Sequence, residues 1–509
     1  MSSLPEPVQD PNAGLLRAQR WDRWWSDHAA VSLLFIASRA ALVWAGLQFD
    51  FDVRWMFLSD TADLRDRLLQ TVWNFHAYPP GMNLMTGVLL KLGGAHAAEL
   101  AHVSFCVWGL VLANSLLYAL RASGLSTALR CGLSLAFCLT PACIYFENLY
   151  LYETPVAALL CLATALFHRA LLAPSSFGRW FVFFATCALI GWIRSTFHLI
   201  WFAALALFAV WLVRAEARRL VLAAAAVPGL LLLSLYLKNL ALFGVFGAAS
   251  SGASNIAHVT VMRLPPEERD AWIREGKLSP FSGISVYASP SEYLPYFPSS
   301  TSERWPQLNE LDRPSVGQPN FNHWFFLEVG KKRSADARYY IEQRPLEYVS
   351  TAARSLVQIF EPSTKWHPND RGEQSPHHQH RLVLGRYERL YNRLVHGVPW
   401  PPIGIYALVG PALVWGFFRS RALLRQRDRA CAALGGLLLF CIFNVVYVVL
   451  LSSAFTIGES ARYRYQIESM LWVVGAVGCV SLRSWLHQLV RIARSSSPLT
   501  ATADESGAK

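Results

Sequence analysis

Two apolar runs separated by a short polar turn make up the segment CGLSLAFCLTPACIYFENLYLYETPVAALLCLATALFHRAL (131–171). The runs cover 131–146 and 154–171, and the turn begins at Glu147 and ends at Glu153. A helix needs roughly 20 apolar residues to cross the hydrocarbon core of a bilayer. The segment therefore predicts a pair of membrane-spanning helices. It also places carboxylates at a membrane surface, where charge is costly unless a partner reaches it.

Similar apolar runs occur along most of the chain, which has 53% hydrophobic and 16% charged residues. Soluble domains carry roughly 25% charged residues, so much of this surface is expected to face lipid. We therefore expect an all-α polytopic membrane protein with about ten transmembrane helices. Their predicted positions are 29–47, 98–120, 131–146, 154–171, 180–193, 196–213, 220–238, 402–418, 430–452 and 467–482.

The basic residues predict the orientation of these helices. With a cytoplasmic N-terminus, every cytoplasmic connection contains arginine, in agreement with the enrichment of Lys and Arg on that side. The net charge of +12 comes from such short clusters, without a long basic tract, so no nucleic-acid partner is expected. The other connections form the extracytoplasmic face and hold the polar groups that could carry chemistry; they are 48–97, 147–153, 194–195, 239–401 and 453–466.

The apolar runs also predict how the chain divides. We expect a cytoplasmic tail at 1–28 and a seven-helix membrane module at 29–244. An extracytoplasmic loop domain follows at 245–401, because this segment is too long for an ordinary connection. Three more transmembrane helices are expected at 402–482, before a cytoplasmic tail at 483–509.

Two shorter segments predict helices outside the spans. In 79–92, apolar residues recur at helical spacing opposite Asn83, but the segment reaches only about 21 Å. It predicts a helix lying at the membrane surface after the first outer loop, with a short tilted span as the alternative. In 334–360, a second amphipathic pattern predicts a helix interrupted at Pro345.

The first outer loop, 48–97, concentrates acidic residues. Asp60 follows Ser59 and precedes a helix-like segment, so its carboxylate could cap that helix or act as a general base. The sequence alone leaves both roles open. The acidic residues and the histidine that follows them are Asp50, Asp52, Asp60, Asp63, Asp66 and His76.

Several cations lie at the outer ends of predicted spans, where the positive-inside rule disfavours them. An anion is the natural explanation, and phosphate suits the forked donors of arginine and the point charge of lysine. Lipid headgroups are one alternative, and ion pairing with Glu147, Glu153 or Glu459 is another. The cations and their polar neighbours are Arg194, His198, Lys238, Asn239, Arg462 and Arg464.

Five motifs resemble those of the GT-C superfamily of polyprenyl-phosphate-sugar-dependent glycosyltransferases, which includes protein O-mannosyltransferase and aminoarabinose transferase relatives. The resemblance covers the first seven spans and the last two. It implies a GT-C-like fold in which the first outer loop carries the catalytic acid. The motifs are HAYPPGMNL (76–84), YETPVAALL (152–160), IRST (193–196), LKNLALFG (237–244) and ESARYRYQIE (459–468).

This resemblance implies transfer of a sugar from a polyprenyl-phosphate carrier to a glycan, lipid or protein acceptor. It implies a bacterial inner membrane and a site facing the periplasm, with both termini cytoplasmic. Asp60 would be the base, with Asp52 in reserve, and Glu153 would orient the acceptor or a divalent metal. The residues expected to bind substrate are His76, Glu147, Arg194, His198, Lys238, Asn239, Arg462 and Arg464.

Two other classes of protein fit the same pattern. A transporter or flippase for a lipid-linked oligosaccharide would need polar features deep within several spans, and the mid-span candidates are Arg39, Asn114 and Asn444. A non-catalytic lipid-binding or assembly subunit would keep the phosphate-binding cations but tolerate loss of every outer carboxylate.

Overall fold

The computed structural model describes residues 24–365, 376–397 and 403–495, and α-helices account for most of them. A short antiparallel hairpin pairs Asp312–Arg313 with Gln318–Pro319. The α-helices, numbered along the chain, are α1 (Trp24–Trp44), α2 (Thr61–Asp66), α3 (Leu68–Trp73), α4 (Gly81–Gly93), α5 (Ala97–Ala122), α6 (Thr127–Cys138), α7 (Pro141–Glu147), α8 (Glu153–Leu172), α9 (Phe177–Ile193), α10 (Leu199–Leu212), α11 (Ala215–Phe243), α12 (Gly252–Val259), α13 (Pro266–Arg274), α14 (Phe325–Gln343), α15 (Pro345–Gln358), α16 (Pro376–Val395), α17 (Val409–Leu424), α18 (Arg429–Phe455) and α19 (Ser460–Ser495).

Short 3-10 helices of three to seven residues lie between several of these elements. They lie at Gly94–His96, Val261–Arg263, Pro280–Gly283, Pro290–Tyr296, Pro306–Leu308, Ser363–Lys365 and Gly404–Leu408.

Six helical stretches among the described residues are long and apolar enough to cross a membrane, so the chain is an integral membrane protein of the all-α class. A seventh span is possible by length and composition if α6 and α7 count together, although they are bent by 56°. Helices α9 and α10 are apolar but shorter. Nine of the ten predicted runs overlap a helix or this bent pair over most of their length, whereas in 402–418 the α-helix begins only at Val409, after the 3-10 helix at Gly404–Leu408.

The segment predicted as a surface helix forms α4, which begins directly after the Pro79-Pro80 pair. It ends at Gly94, whose φ of 52° and ψ of −119° interrupt the helix before α5. The predicted polar face is wrong at Asn83. Its side chain is buried, accepting a hydrogen bond from Ser59 N at 2.7 Å and donating to Phe57 O at 2.9 Å. Asn83 therefore fastens the first outer loop to α4.

Buried ion pairs join the helices of the membrane module. The Arg39 guanidinium donates to both carboxylate oxygens of Glu147, at 2.8 and 2.7 Å. Arg130 on α6 donates to one carboxylate oxygen of Asp27 on α1. A buried charge needs a compensating partner. The pairing with Arg39 therefore gives Glu147 a role in helix packing.

The region between α11 and α17 forms helices and small apolar clusters of its own. One cluster joins Ala257, Leu264 and Tyr340, and another joins Phe243 to Trp305. The predicted interruption at Pro345 is confirmed, because α14 ends at Gln343 and α15 begins at Pro345. These clusters give the region an internal packing that a simple connection lacks.

The predicted tails are only partly described. Residues 1–23 and 496–509, together with 366–375 and 398–402, lie outside the described residues. Helix α19 continues to Ser495, beyond the predicted end of the last span at 482.

Candidate functional site

A cavity of about 1120 Å³ lies where the first outer loop meets the outer ends of the helices. Its wall takes polar residues from the loop, from the corner between α9 and α10, and from the beginning of α19. The lining also includes exposed apolar residues, among them Ile200, Phe246 and Phe455. The cavity can therefore accept a molecule that combines polar and apolar parts. Predicted site residues that line it are Asp52, Arg194, His198 and Arg462.

Backbone pairing brings the first loop to the turn between α7 and α8. Asp50 N donates to Asn148 O at 2.8 Å, and Tyr150 N donates to Asp50 O at 2.9 Å, which forms a parallel bridge. The phenol of Tyr150 also lies 2.8 Å from the hydroxyl of Thr86 in α4. Three segments that are distant in sequence thus fix the position of Asp50 at the cavity wall.

Asp50 is the acidic residue of the first loop whose carboxylate remains available. Within the described residues, no side chain donates a hydrogen bond to it. Burial raises the pKa of Asp50 to about 6, and the neighbouring Asp52 carboxylate adds to this effect while Arg54 opposes it. A carboxylate with a pKa near neutrality can accept a proton efficiently from a substrate.

Asp52 also lines the cavity but is occupied. The Arg54 side chain donates to both of its oxygens, at 2.8 and 3.0 Å. Behind this pair, the Arg313 guanidinium donates to four backbone carbonyls of the loop, those of Val53, Arg54, Trp55 and Leu58. Burial lowers the pKa of Arg313 to about 10. Asp52 and Arg313 therefore stabilise the loop that presents Asp50.

Asp60, the base expected from the resemblance, caps α2. Its carboxylate accepts from Ala62 N at 2.9 Å and from Ser315 N at 2.8 Å. It is 9% exposed and does not line the cavity. Of the two roles that the sequence left open, the capping role is the one that the contacts display.

Arg194 is a buried cation for which the described residues supply no counter-ion. Its guanidinium is centred 3.9 Å above the Tyr152 ring and 4.7 Å from that of Tyr463. No carboxylate lies within ion-pair distance and no acceptor takes its hydrogen bonds in the described part of the chain, and its Nε is fully buried. Arg194 is only 7% exposed and faces the cavity. Since a buried unpaired charge is strongly unfavourable, this side chain is expected to bind an anion.

Arg462 lines the same cavity but is paired. It lies 2.5 Å from Glu459, and its Nε is 3.7 Å from Glu153. Glu459 in turn accepts a hydrogen bond from the Tyr287 phenol at 3.3 Å. Arg462 therefore adds positive potential next to Arg194 and links α19 to the outer region.

His76 and the end of α11 hold the adjoining wall. The His76 ring lies 2.8 Å from Ser250 Oγ and 3.1 Å from Asn322 O, and burial lowers the pKa of His76 to about 3. Lys238 Nζ donates to Phe75 O at 2.7 Å. Asn239 donates to Gly247 O at 2.7 Å, which fixes the next segment of the wall. These predicted binding residues shape the cavity without lining it.

The remaining predicted residues separate into two groups. His198 lines the cavity with its Nδ1 3.1 Å from the Tyr447 phenol, and burial lowers the pKa of His198. Glu147, Glu153 and Arg464 do not line it. Glu147 pairs with Arg39 and Arg464 with Glu468, so both belong to the packing of the helices.

The described residues offer few ligands for a divalent cation at the cavity. No three His, Cys, Asp or Glu side chains cluster as a metal site among residues 24–365, 376–397 and 403–495. Asp50 offers a carboxylate to a cation at the cavity wall, whereas Arg54 takes both oxygens of Asp52. At Glu153, the Arg462 guanidinium at 3.7 Å disfavours a cation.

The sequence did not single out Asp50, Tyr152 or Tyr463. Asp50 was one of five loop acids, and its burial depends on pairing with a distant turn. Tyr152, the aromatic residue next to Glu153, could have been identified as a site residue from the sequence, since guanidinium groups stack on such rings. The comparison of the chain with protein-family models, with curated proteins and with solved structures found no match.

Proposed function

We propose that this chain is a GT-C-like membrane glycosyltransferase of about ten spans, which transfers a sugar from a polyprenyl-phosphate carrier. The observation that supports this most strongly is Arg194, a buried cation that has no counter-ion among the described residues and faces a cavity containing an available carboxylate. The exposed apolar residues Ile200, Phe246 and Phe455 in the cavity lining would pack against the polyprenyl chain. The acceptor is a glycan, lipid or protein, and the site faces the periplasm of a bacterial inner membrane.

In the proposed reaction, an acceptor hydroxyl oxygen bonds to the anomeric carbon of the donor sugar. The bond from this carbon to the phosphate oxygen breaks, and its electron pair stays on the carrier phosphate. Asp50 takes the proton of the hydroxyl as general base. Arg194 and Arg462 stabilise the charge that develops on the phosphate. This proposal moves the role of base from Asp60 to Asp50, because one oxygen of Asp60 caps α2 and the other accepts a hydrogen bond from Ser315 N.

The test is the mass of the lipid that stays bound when the protein is purified into lipid nanodiscs. We expect a sugar-bearing polyprenyl phosphate on the wild-type protein and its loss in Arg194→Met, since the anionic headgroup then lacks its cation. Arg65→Gln is the matched control, because Arg65 is an exposed arginine paired with Asp66. Wild-type protein that carries only ordinary phospholipid, with equal retention in both variants, would contradict the proposal.

A second measurement separates the enzyme from a flippase or an assembly subunit. Bound donor is given a set of candidate acceptors, and free polyprenyl phosphate is measured. An enzyme releases it and the Asp50→Asn variant does not. A flippase moves the intact lipid, and an assembly subunit binds it, without breaking the sugar-phosphate bond in either case.

A further inference from the structure

A row of polar side chains follows one face of α19 below the cavity. Arg462, Gln466 and Ser469 are four and three residues apart, so they share one face of the helix. Helix α19 packs against α8, which begins at Glu153. Arg462 is the member that reaches the cavity, and its Nε lies 3.7 Å from Glu153. The row therefore leads from the cavity into the helix bundle.

Two side chains on this face of the interface, Glu153 and Gln466, are buried but lack hydrogen-bond partners within the described residues. Both carboxylate oxygens of Glu153 and both polar atoms of the Gln466 amide are in this state. Glu153 and Gln466 are each 0% exposed. Native proteins satisfy the great majority of buried polar groups with protein atoms or with ordered water. Four unsatisfied atoms on two packed helices thus indicate a bound polar molecule.

The chemistry of these groups selects among possible molecules. A cation is disfavoured by the Arg462 guanidinium, and an anion by the Glu153 carboxylate. The ligand must donate to Glu153 and to the amide oxygen of Gln466, and it must accept from the Gln466 amide nitrogen. Water meets both requirements, and buried waters commonly form about three such hydrogen bonds.

We propose that the interface between α8 and α19 holds bound water that bridges Glu153 and Gln466. We name this place the α8–α19 water site. The water keeps Glu153 solvated inside the bundle, at the point where Arg462 connects it to the cavity. Arg462 can then turn from Glu153 towards an anion in the cavity without leaving a dry, unpaired carboxylate behind.

The test is the thermal unfolding of Gln466→Met, whose side chain has a similar length but no polar atoms. If water is bound, the substitution removes its partners, and the unfolding midpoint falls by about 2–5 °C. If the site is dry, losing an unsatisfied amide stabilises the protein. Met470→Leu is the matched control, because Met470 is buried one turn further along the same helix. A midpoint for Gln466→Met that equals or exceeds that of the control overturns the proposal.

A structure of the wild-type protein by cryo-electron microscopy, at a resolution that shows water, provides a second measurement if the variant does not fold. Density peaks within hydrogen-bonding distance of both Gln466 and Glu153 support the water site. Direct contact between dry side chains overturns it. Neither measurement uses the transfer reaction, so a failure here is distinguishable from a failure of the proposed function.

Discussion

The outer end of α19 and the corner between α9 and α10 each bury an arginine, but they use it differently. Arg464 donates to Glu468 at 3.0 Å, to Ser363 at 2.9 Å and to the carbonyl of Glu361 at 2.7 Å. Arg194 has stacked tyrosines and no acceptor among the described residues. A buried arginine with complete partners holds helices together, whereas one that lacks them and faces a cavity is expected to bind a ligand.

The largest expected effect concerns the stability of the two corresponding variants. Arg464→Met leaves Glu468 buried without its cation and should lower the free energy of unfolding by about 3–5 kcal/mol. Arg194→Met removes an unpaired buried charge, so stability should be unchanged or higher. Thermal unfolding of both proteins in nanodiscs, after removal of bound lipid, measures the difference. Equal destabilisation would show that Arg194 has a structural role like that of Arg464.

The second prediction compares two acids of the first loop, Asp50, which accepts no side-chain hydrogen bond from the described residues, and Asp60, whose two oxygens both accept hydrogen bonds. Asp50→Asn should lower the rate of sugar transfer by at least about 10²-fold, the usual range for loss of a general base. Asp60→Asn should lower it much less, because asparagine keeps an oxygen that can cap α2 and loses only the contact with Ser315 N. Single-turnover release of polyprenyl phosphate measures both rates. A greater loss in Asp60→Asn would return the role of base to Asp60.

Patterns that are local in sequence predicted much of the fold. The apolar runs predicted the helices because a helix across a membrane needs a continuous stretch of apolar residues. The cap at Asp60 and the interruption at Pro345 follow from the same kind of short-range rule. Such rules act within one or two helical turns, so a single sequence is enough to apply them.

The state of the site residues depended on contacts between distant segments. Glu147 was predicted as a binding residue, but Arg39 from another helix occupies it. Asn83 was predicted on a polar face, but the first loop covers it. In the sequence, Asp50 does not differ from the other acids of the loop; its backbone pairing with the turn at 148–150 sets it apart. Which polar group stays unpaired is set by these long-range pairings, and spacing along the chain does not determine it.

The smallest expected effect is the pH dependence of the reaction. Asp50 must be ionised to act as a base, and its pKa of about 6 implies that the rate falls about tenfold per pH unit below that value. The same pKa lies above the ordinary value of 3.8, so the folded protein binds the proton more tightly than the unfolded chain does. Stability should therefore decrease as the pH rises from about 4 to about 6, where activity increases.

Asp50→Asn removes both dependences, which makes it the control for this prediction. Its residual rate should not change with pH across this window, and its unfolding midpoint should lose the decrease between about pH 4 and 6. Rates and midpoints measured on the same samples test the two slopes together. A wild-type rate that stays constant down to pH 4 would mean that the Asp50 carboxylate is ionised throughout or is not the base. Since burial and the adjacent Asp52 both favour its protonated form, such a result would favour a role for Asp50 in holding the loop against the turn.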